Sequence, residues 1–216
     1  MTLDELISPI HGRLGVLERN GDQRVTIADL TDDSRKVGPG SLFVAVQGER
    51  VDGHQFLDPV VAAGAAAVVV QRSGDVGAIS CVRVQDSRAA LGILGSRFYG
   101  DPSSSLRMIG VTGTNGKTTT TYVVKTMLEA ARRRVGLIGT VAYLVGKESI
   151  PASHTTPGAL ELQKLFARMR EARLDTVVME VSSHALALDR TAGSEFDVAV
   201  FTNLTQDHLD FHLDME

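Results

Sequence analysis

Gly110-Val-Thr-Gly113-Thr-Asn-Gly116-Lys117-Thr118-Thr119-Thr120 closes an apolar run that begins at Arg107 and opens a stretch of helical spacing. Strand, glycine-rich loop and helix in that order make a phosphate cradle. The glycines let backbone amides approach the anion, Lys117 brings a cation to the β and γ groups, and the Thr118 hydroxyl can ligate Mg²⁺. Gly113, Thr114, Asn115, Gly116, Lys117, Thr118 and Thr119 are therefore the candidate nucleotide contacts. The general pattern puts a glycine five residues before its Gly-Lys pair, where this chain has Val111. Glycines fall instead at 110 and 113, a shorter Gly-Thr-Asn-Gly-Lys-Thr version. The bland alternative is a glycine-rich turn with a surface lysine, and the strand-loop-helix order weighs against it.

The following helix, Thr118 to Arg133, starts with a β-branched run of poor helix propensity. Val123, Val124, Met127, Leu128 and Ala131 recur at helical spacing and are expected to seat it on a sheet. Strands are expected at 107–112, 134–139, 176–181 and 197–202, with a second helix from Pro157 to Ala172. Helices of this length between strands imply right-handed crossovers and a largely parallel sheet. Ligands gather beyond the carboxyl ends of such strands. Glu180 stands at one of those ends and could hold Mg²⁺ through oxygen; a strand-end acid exposed to water explains it as well, and only the phosphate loop tips the balance.

The polar stretch Tyr99-Gly-Asp-Pro-Ser-Ser-Ser105 separates this region from an earlier α/β region, with strands at 41–46, 66–70 and 81–84 and helices near 55–63 and 88–98. Two domains are expected, 1–102 and 103–216. Of 216 residues, 43% are hydrophobic and 22% charged, ordinary globular composition. With 22 Lys+Arg against 26 Asp+Glu, the net charge of −4 gives no basic field for nucleic acid or anionic lipid. Cys81 is the sole cysteine, so an intramolecular disulfide and a four-cysteine zinc site are excluded. The acidic start Met1-Thr-Leu-Asp-Glu-Leu lacks the basic, then apolar, pattern of an export signal. No run approaches the ~20 apolar residues that span a bilayer. A cytoplasmic protein with no membrane insertion is expected.

The last strand ends in Phe201-Thr-Asn203-Leu-Thr-Gln-Asp207-His208-Leu-Asp-Phe-His212. His208 and His212 could share a helical face, but Leu209 stands where a zinc protease needs Glu. Two acids and two histidines there leave a metal or phosphate role and a solvated one evenly balanced. In His154-Thr-Thr-Pro-Gly158, Thr156 and Pro157 read as a helix cap and first-turn pair. Ser34 and Arg35 are possible anion contacts, though ordinary turns explain them and Asp52-Gly-His54 as well.

Asp33-Ser-Arg35, Pro39-Gly-Ser-Leu-Phe-Val-Ala45, Asp52-Gly-His54, Gly113 to Thr118, Glu180-Val-Ser-Ser-His184 and Phe201 to His212 occur in this order. Together they resemble the Mur ligase family over nearly the whole chain, and in particular its members that add the third amino acid. The phosphate loop alone would also admit the sister ligases and, more loosely, folylpolyglutamate synthase. The resemblance implies a small N-terminal α/β domain for the UDP-linked substrate, followed by the first part of a P-loop parallel-sheet ATPase domain. It implies ATP-dependent amide-bond formation in peptidoglycan precursor synthesis, with ATP and Mg²⁺. The partners would be UDP-MurNAc-L-Ala-D-Glu and a diamino acid, meso-diaminopimelate before L-lysine.

By the same resemblance Lys117, Glu180 and His208 are catalytic, with Thr118, Glu180 and His208 on magnesium and Asn203 near the nucleotide. Ser34 would contact the uridine part of the substrate, and Thr155, Thr156, Ser182 and Arg190 the remainder. Leu188 replaces a polar contact found in some relatives. By the resemblance, the family's carbamylated lysine and third domain would lie beyond Glu216. The 216-residue chain alone is therefore expected to lack ligase activity and to expose a sheet edge, while the full-length protein is expected to be a monomer. A non-catalytic nucleotide-binding fragment or regulator is the alternative.

Overall fold

The computed structural model describes residues 1–48, 51–72, 76–207 and 209–212. They form two compact units that divide between Phe98 and Tyr99.

The first unit contains α1 (Leu3–Ile7), α2 (His11–Leu14), β1 (Val16–Asn20), β2 (Asp29–Thr31), β3 (Ser41–Val44), α3 (Leu57–Ala62), β4 (Ala67–Val70), β5 (Ser80–Val84) and α4 (Ser87–Phe98). Its sheet runs β1-β5-β4-β3-β2, parallel except for the antiparallel β1. β3 and β4 are buried at every position. Strands covered on both faces become continuous apolar runs of this kind. Phe43, Val68, Val70 and Cys81 pack with Val60 of α3.

The second unit contains β6 (Arg107–Thr112), α5 (Lys117–Ala130), β7 (Val135–Ile138), β8 (Ala142–Val145), β9 (Glu148–Pro151), α6 (Ala159–Glu171), β10 (Thr176–Glu180), α7 (Ser183–Ala187), β11 (Val198–Phe201) and α8 (Leu209–His212). Its sheet order is β11-β6-β10-β7-β8-β9. The first four strands are mutually parallel, and β8 and β9 extend the sheet as an antiparallel hairpin. Alternate residues face opposite layers. Met108, Val177 and Met179 meet Leu162, Leu165, Phe166 and Met169 of α6, while Ile109, Val111 and Val178 meet Val124 and Leu128 of α5. The loops after β6, β7, β10 and β11 therefore leave the sheet on one edge, the carboxyl edge.

The stretch Tyr99 to Ser105, read as the place where the two regions part, belongs to this second unit. Arg170 of α6 donates to the carbonyls of Tyr99 (2.9 Å) and Gly100 (2.8 Å), and Glu195 N–H donates to Ser103 Oγ. Residues 102–105 form a 3₁₀ turn.

Two local expectations are corrected. Val123, Met127 and Ala131 do not seat α5; Val123 and Met127 are 50% and 67% exposed, and Ala131 is exposed beyond the helix end. The packed stripe is the buried Thr121 with the half-buried Val124 and Leu128, a narrower face at i, i+3, i+7. Thr156 does not cap α6, whose N-cap is Gly158. Its hydroxyl is drawn instead to the end of β10, as described below.

Among the described residues no helix is long and apolar enough to cross a membrane. β11 is a sheet edge, and its Val198 and Phe201 are exposed.

Candidate active site

The loop between β6 and α5 is shaped by two glycines in the left-handed half of backbone space. Gly113 has φ +129° and Gly116, the residue before α5, φ +86°. Other residues take these values only under strain. Gly113 has a steric reason as well: a Cβ there would lie 2.1 Å from Thr202 Oγ1 and 2.8 Å from the Asn203 carbonyl.

The segment after β11 clasps the loop. Thr114 N–H donates to the Asn203 carbonyl (2.9 Å) and Asn115 N–H to Asn203 Oδ1 (3.1 Å). Thr202 Oγ1 and Asn203 Nδ2 both donate to the Asn115 carbonyl, at 2.7 and 3.1 Å. Thr114 Oγ1 donates to the Thr205 carbonyl and accepts from Thr205 N–H. Lys117 Nζ lies over the loop, donating to the carbonyls of Gly113 (2.5 Å) and Thr114 (2.9 Å). Amides at the first turn of a helix have no partner within it and, with the helix dipole, favour an anion. Thr118 and Thr119 occupy that turn, and Asn115, Gly116 and Thr119 are exposed.

Glu180 ends β10 beside β6 and is 1% exposed. A carboxylate so buried needs donors. Thr118 Oγ1 donates to Oε2 at 2.9 Å, Thr140 Oγ1 to Oε2 at 3.2 Å, and Thr140 N–H to Oε1 at 3.0 Å. A carboxylate and a hydroxyl at this spacing are hard oxygen donors of the kind Mg²⁺ takes, so the residues fit that ion.

Beyond Glu180, the buried Thr156 hydroxyl donates to the Glu180 carbonyl (2.9 Å) and accepts Ser182 N–H (3.0 Å). Ser182 caps α7 through Ala185 N–H. Arg190 Nη1 donates to the Thr156 carbonyl, and Thr155 Oγ1 lies 3.0 Å from Thr140 Oγ1. The buried Tyr143 hydroxyl donates to the His154 carbonyl and accepts His154 N–H. On α8, His212 Nε2 is 2.9 Å from Ser183 Oγ, and Phe211 packs on His184.

The second unit thus brings together Gly113 to Thr119, Asn203, Glu180, Thr155, Thr156, Ser182 and Arg190. Ser34 lies in the first unit, where it opens a 3₁₀ turn capped by Asp33. Arg35 is committed to Asp33 and holds that carboxyl well below the usual range. His208 lies outside the described residues; among those described, no group of three or more His, Cys, Asp or Glu gathers as a metal cluster. Sequence reasoning missed Thr140, Thr202 and Thr205. Each follows a strand end on the carboxyl edge, the rule that found Glu180.

A parallel sheet whose first strand leads through this loop into a helix defines the second unit as an α/β domain of the P-loop class. Two family models match: "Mur ligase family, catalytic domain" over residues 26–99 and "Mur ligase middle domain" over residues 111–216. The chain belongs to the Mur ligase family.

It is 49% identical over 200 residues to the UDP-N-acetylmuramoyl-L-alanyl-D-glutamate–2,6-diaminopimelate ligase of Alkaliphilus metalliredigens, covering 92% of this chain and 40% of that protein. A solved structure of a ligase of that name superposes with a TM-score of 0.80 at 27% identity, covering 97% of this chain and 41% of the other. The MurF ligase from Thermotoga maritima in complex with ADP superposes with a TM-score of 0.57 at 25% identity, covering 88% and 40%. The chain therefore spans about 40% of the length of the relatives it matches.

Proposed function

We propose that the chain is the UDP-substrate-binding and ATP-binding portion of a UDP-N-acetylmuramoyl-L-alanyl-D-glutamate–2,6-diaminopimelate ligase acting in the cytoplasm. ATP would phosphorylate the D-glutamyl carboxylate of UDP-MurNAc-L-Ala-D-Glu, releasing ADP. The amine of the diamino acid would attack the acyl phosphate, expel phosphate and form the amide. The names of the relatives favour diaminopimelate over L-lysine.

The observation that carries this reading is the 2.9 Å bond between Thr118, in the first turn of α5 after the phosphate loop, and the buried Glu180 on β10, the neighbouring strand in the sheet. Phosphoryl transfer asks a protein mainly for positioning and charge neutralisation. Loop amides and the first turn of α5 would hold the phosphates, and Lys117 would leave the loop carbonyls to neutralise their charge. Thr118 and Glu180 would hold Mg²⁺, which when bound supplies positive charge to the phosphate oxygens, and His208 would serve a second ion. Asn203 would keep the loop open by its grip on Asn115. Ser34 would take the uridine part of the substrate; Thr155, Thr156, Ser182 and Arg190 would take the rest.

In the full-length protein, Lys117→Ala is expected to abolish ADP release in the presence of the UDP-substrate and diaminopimelate while leaving the circular dichroism spectrum unchanged. An unchanged kcat would overturn the assignment, and equal turnover with L-lysine would overturn the choice of amino acid.

A further inference from the structure

Thr140, just beyond β7, supplies two of the three hydrogen bonds described for the Glu180 carboxylate, one to each oxygen. Its neighbour Gly139 lets the carboxylate lie against the backbone, because a Cβ there would stand 2.3 Å from Oε1. The direction of the hydroxyl chain follows from donor arithmetic. A carboxylate only accepts, so Thr140 Oγ1 spends its single proton on Glu180. In the 3.0 Å contact between Thr140 and Thr155, Thr155 must then donate and Thr140 accept. The Thr140 rotor is fixed from both sides, and the Glu180 carboxylate with it.

We propose that Thr140 is a positioning residue that aims Glu180 at a divalent cation beside Thr118. This rests on the nucleotide-site reading above. A cation taken between Thr118 and Glu180 needs one carboxylate orientation out of several, and a buried side chain held at both oxygens does not have to find it on binding.

The probe is Mn²⁺, followed by electron paramagnetic resonance in the purified chain with ADP. Thr140→Val keeps the branched shape and removes the hydroxyl; Thr140→Ser restores it. The valine variant is expected to weaken Mn²⁺ binding about tenfold and the serine variant to stay within about threefold. ADP affinity in EDTA is expected to be the same for all three proteins, which a general loosening of the fold would not leave untouched. Should the valine variant lose its cooperative melting transition, Thr140→Ala, which puts no methyl group in the place of the hydroxyl, carries the same readings. Wild-type Mn²⁺ affinity in the variant lacking the hydroxyl overturns the proposal, as does a serine variant no better than valine or an equal loss of metal-free ADP binding. If the wild-type chain binds no ADP at all, the nucleotide-site reading falls as well. If it binds both ligands and the hydroxyl proves irrelevant, only the role of Thr140 falls.

Discussion

At Gly113 two constraints coincide, a backbone φ of +129° and a Cβ position already filled by Thr202 Oγ1. Relief at one would not relieve the other. Gly113→Ala is therefore expected to cost about 1–3 kcal/mol of stability and to weaken ATP binding more than about tenfold. Denaturant unfolding and calorimetry would measure the two, and an alanine variant that binds ATP normally would show that the loop does not need this shape. The glycines and Lys117 were legible in the sequence because their chemistry is local. Thr156 was not, because a Thr-Pro pair before a helix has the same letters as a cap. What took its hydroxyl away is the β10 terminus, about two dozen residues further on and near only in the fold. Thr140 and Thr202 were missed for a related reason: the strand-end rule points to the edge where they lie, but it does not say which threonine there finds a partner across the fold.

Among the elements, α5 is held by tertiary contact more than by propensity. Two of its threonines bond back inside the helix, Thr121 Oγ1 donating to the Thr118 carbonyl and Thr126 Oγ1 to that of Tyr122, bonds that compete with regular helix rather than favour it. Val124 and Leu128 anchor it on Ile109, Val111 and Val178. Leu128→Ala is expected to cost about 2 kcal/mol, and Met127→Lys, on the exposed side, less than about 0.5 kcal/mol. The reverse order in chemical denaturation would restore the wider apolar face read from the sequence. The parallel strands other than the three-residue β2 were readable as apolar runs. The β8–β9 hairpin was not assigned, although Gly146-Lys147 between two short runs is a turn signal, and Gly146 takes φ +62° there. β1 escaped because its exposed positions break the apolar pattern.

At the scale of the whole molecule, the two units carry separable signatures. In the first, Asp52 is held below the usual carboxylate range by the His54 backbone amide and then by the His54 ring, with Arg72 on its other oxygen. A depressed carboxyl stabilises the fold above the unfolded value of about 3.9 and loses that contribution as the pH falls through the lower folded value. Asp52→Asn is thus expected to flatten the acid side of the melting temperature against pH profile; an identical acid limb would contradict it. In the second unit, hydrogen exchange on adding ADP should slow within residues 113–120 and 202–205, the loop and its clasp. Protection spread evenly over both units would argue against a site built as described.

If the backbone and lysine between residues 110 and 118 grip a triphosphate, isothermal titration of the folded chain with ATP and Mg²⁺ will register it. A saturable one-to-one heat that disappears in Lys117→Ala is the expected result; no heat from a chain that still melts cooperatively, or an unchanged heat in the alanine variant, would contradict it.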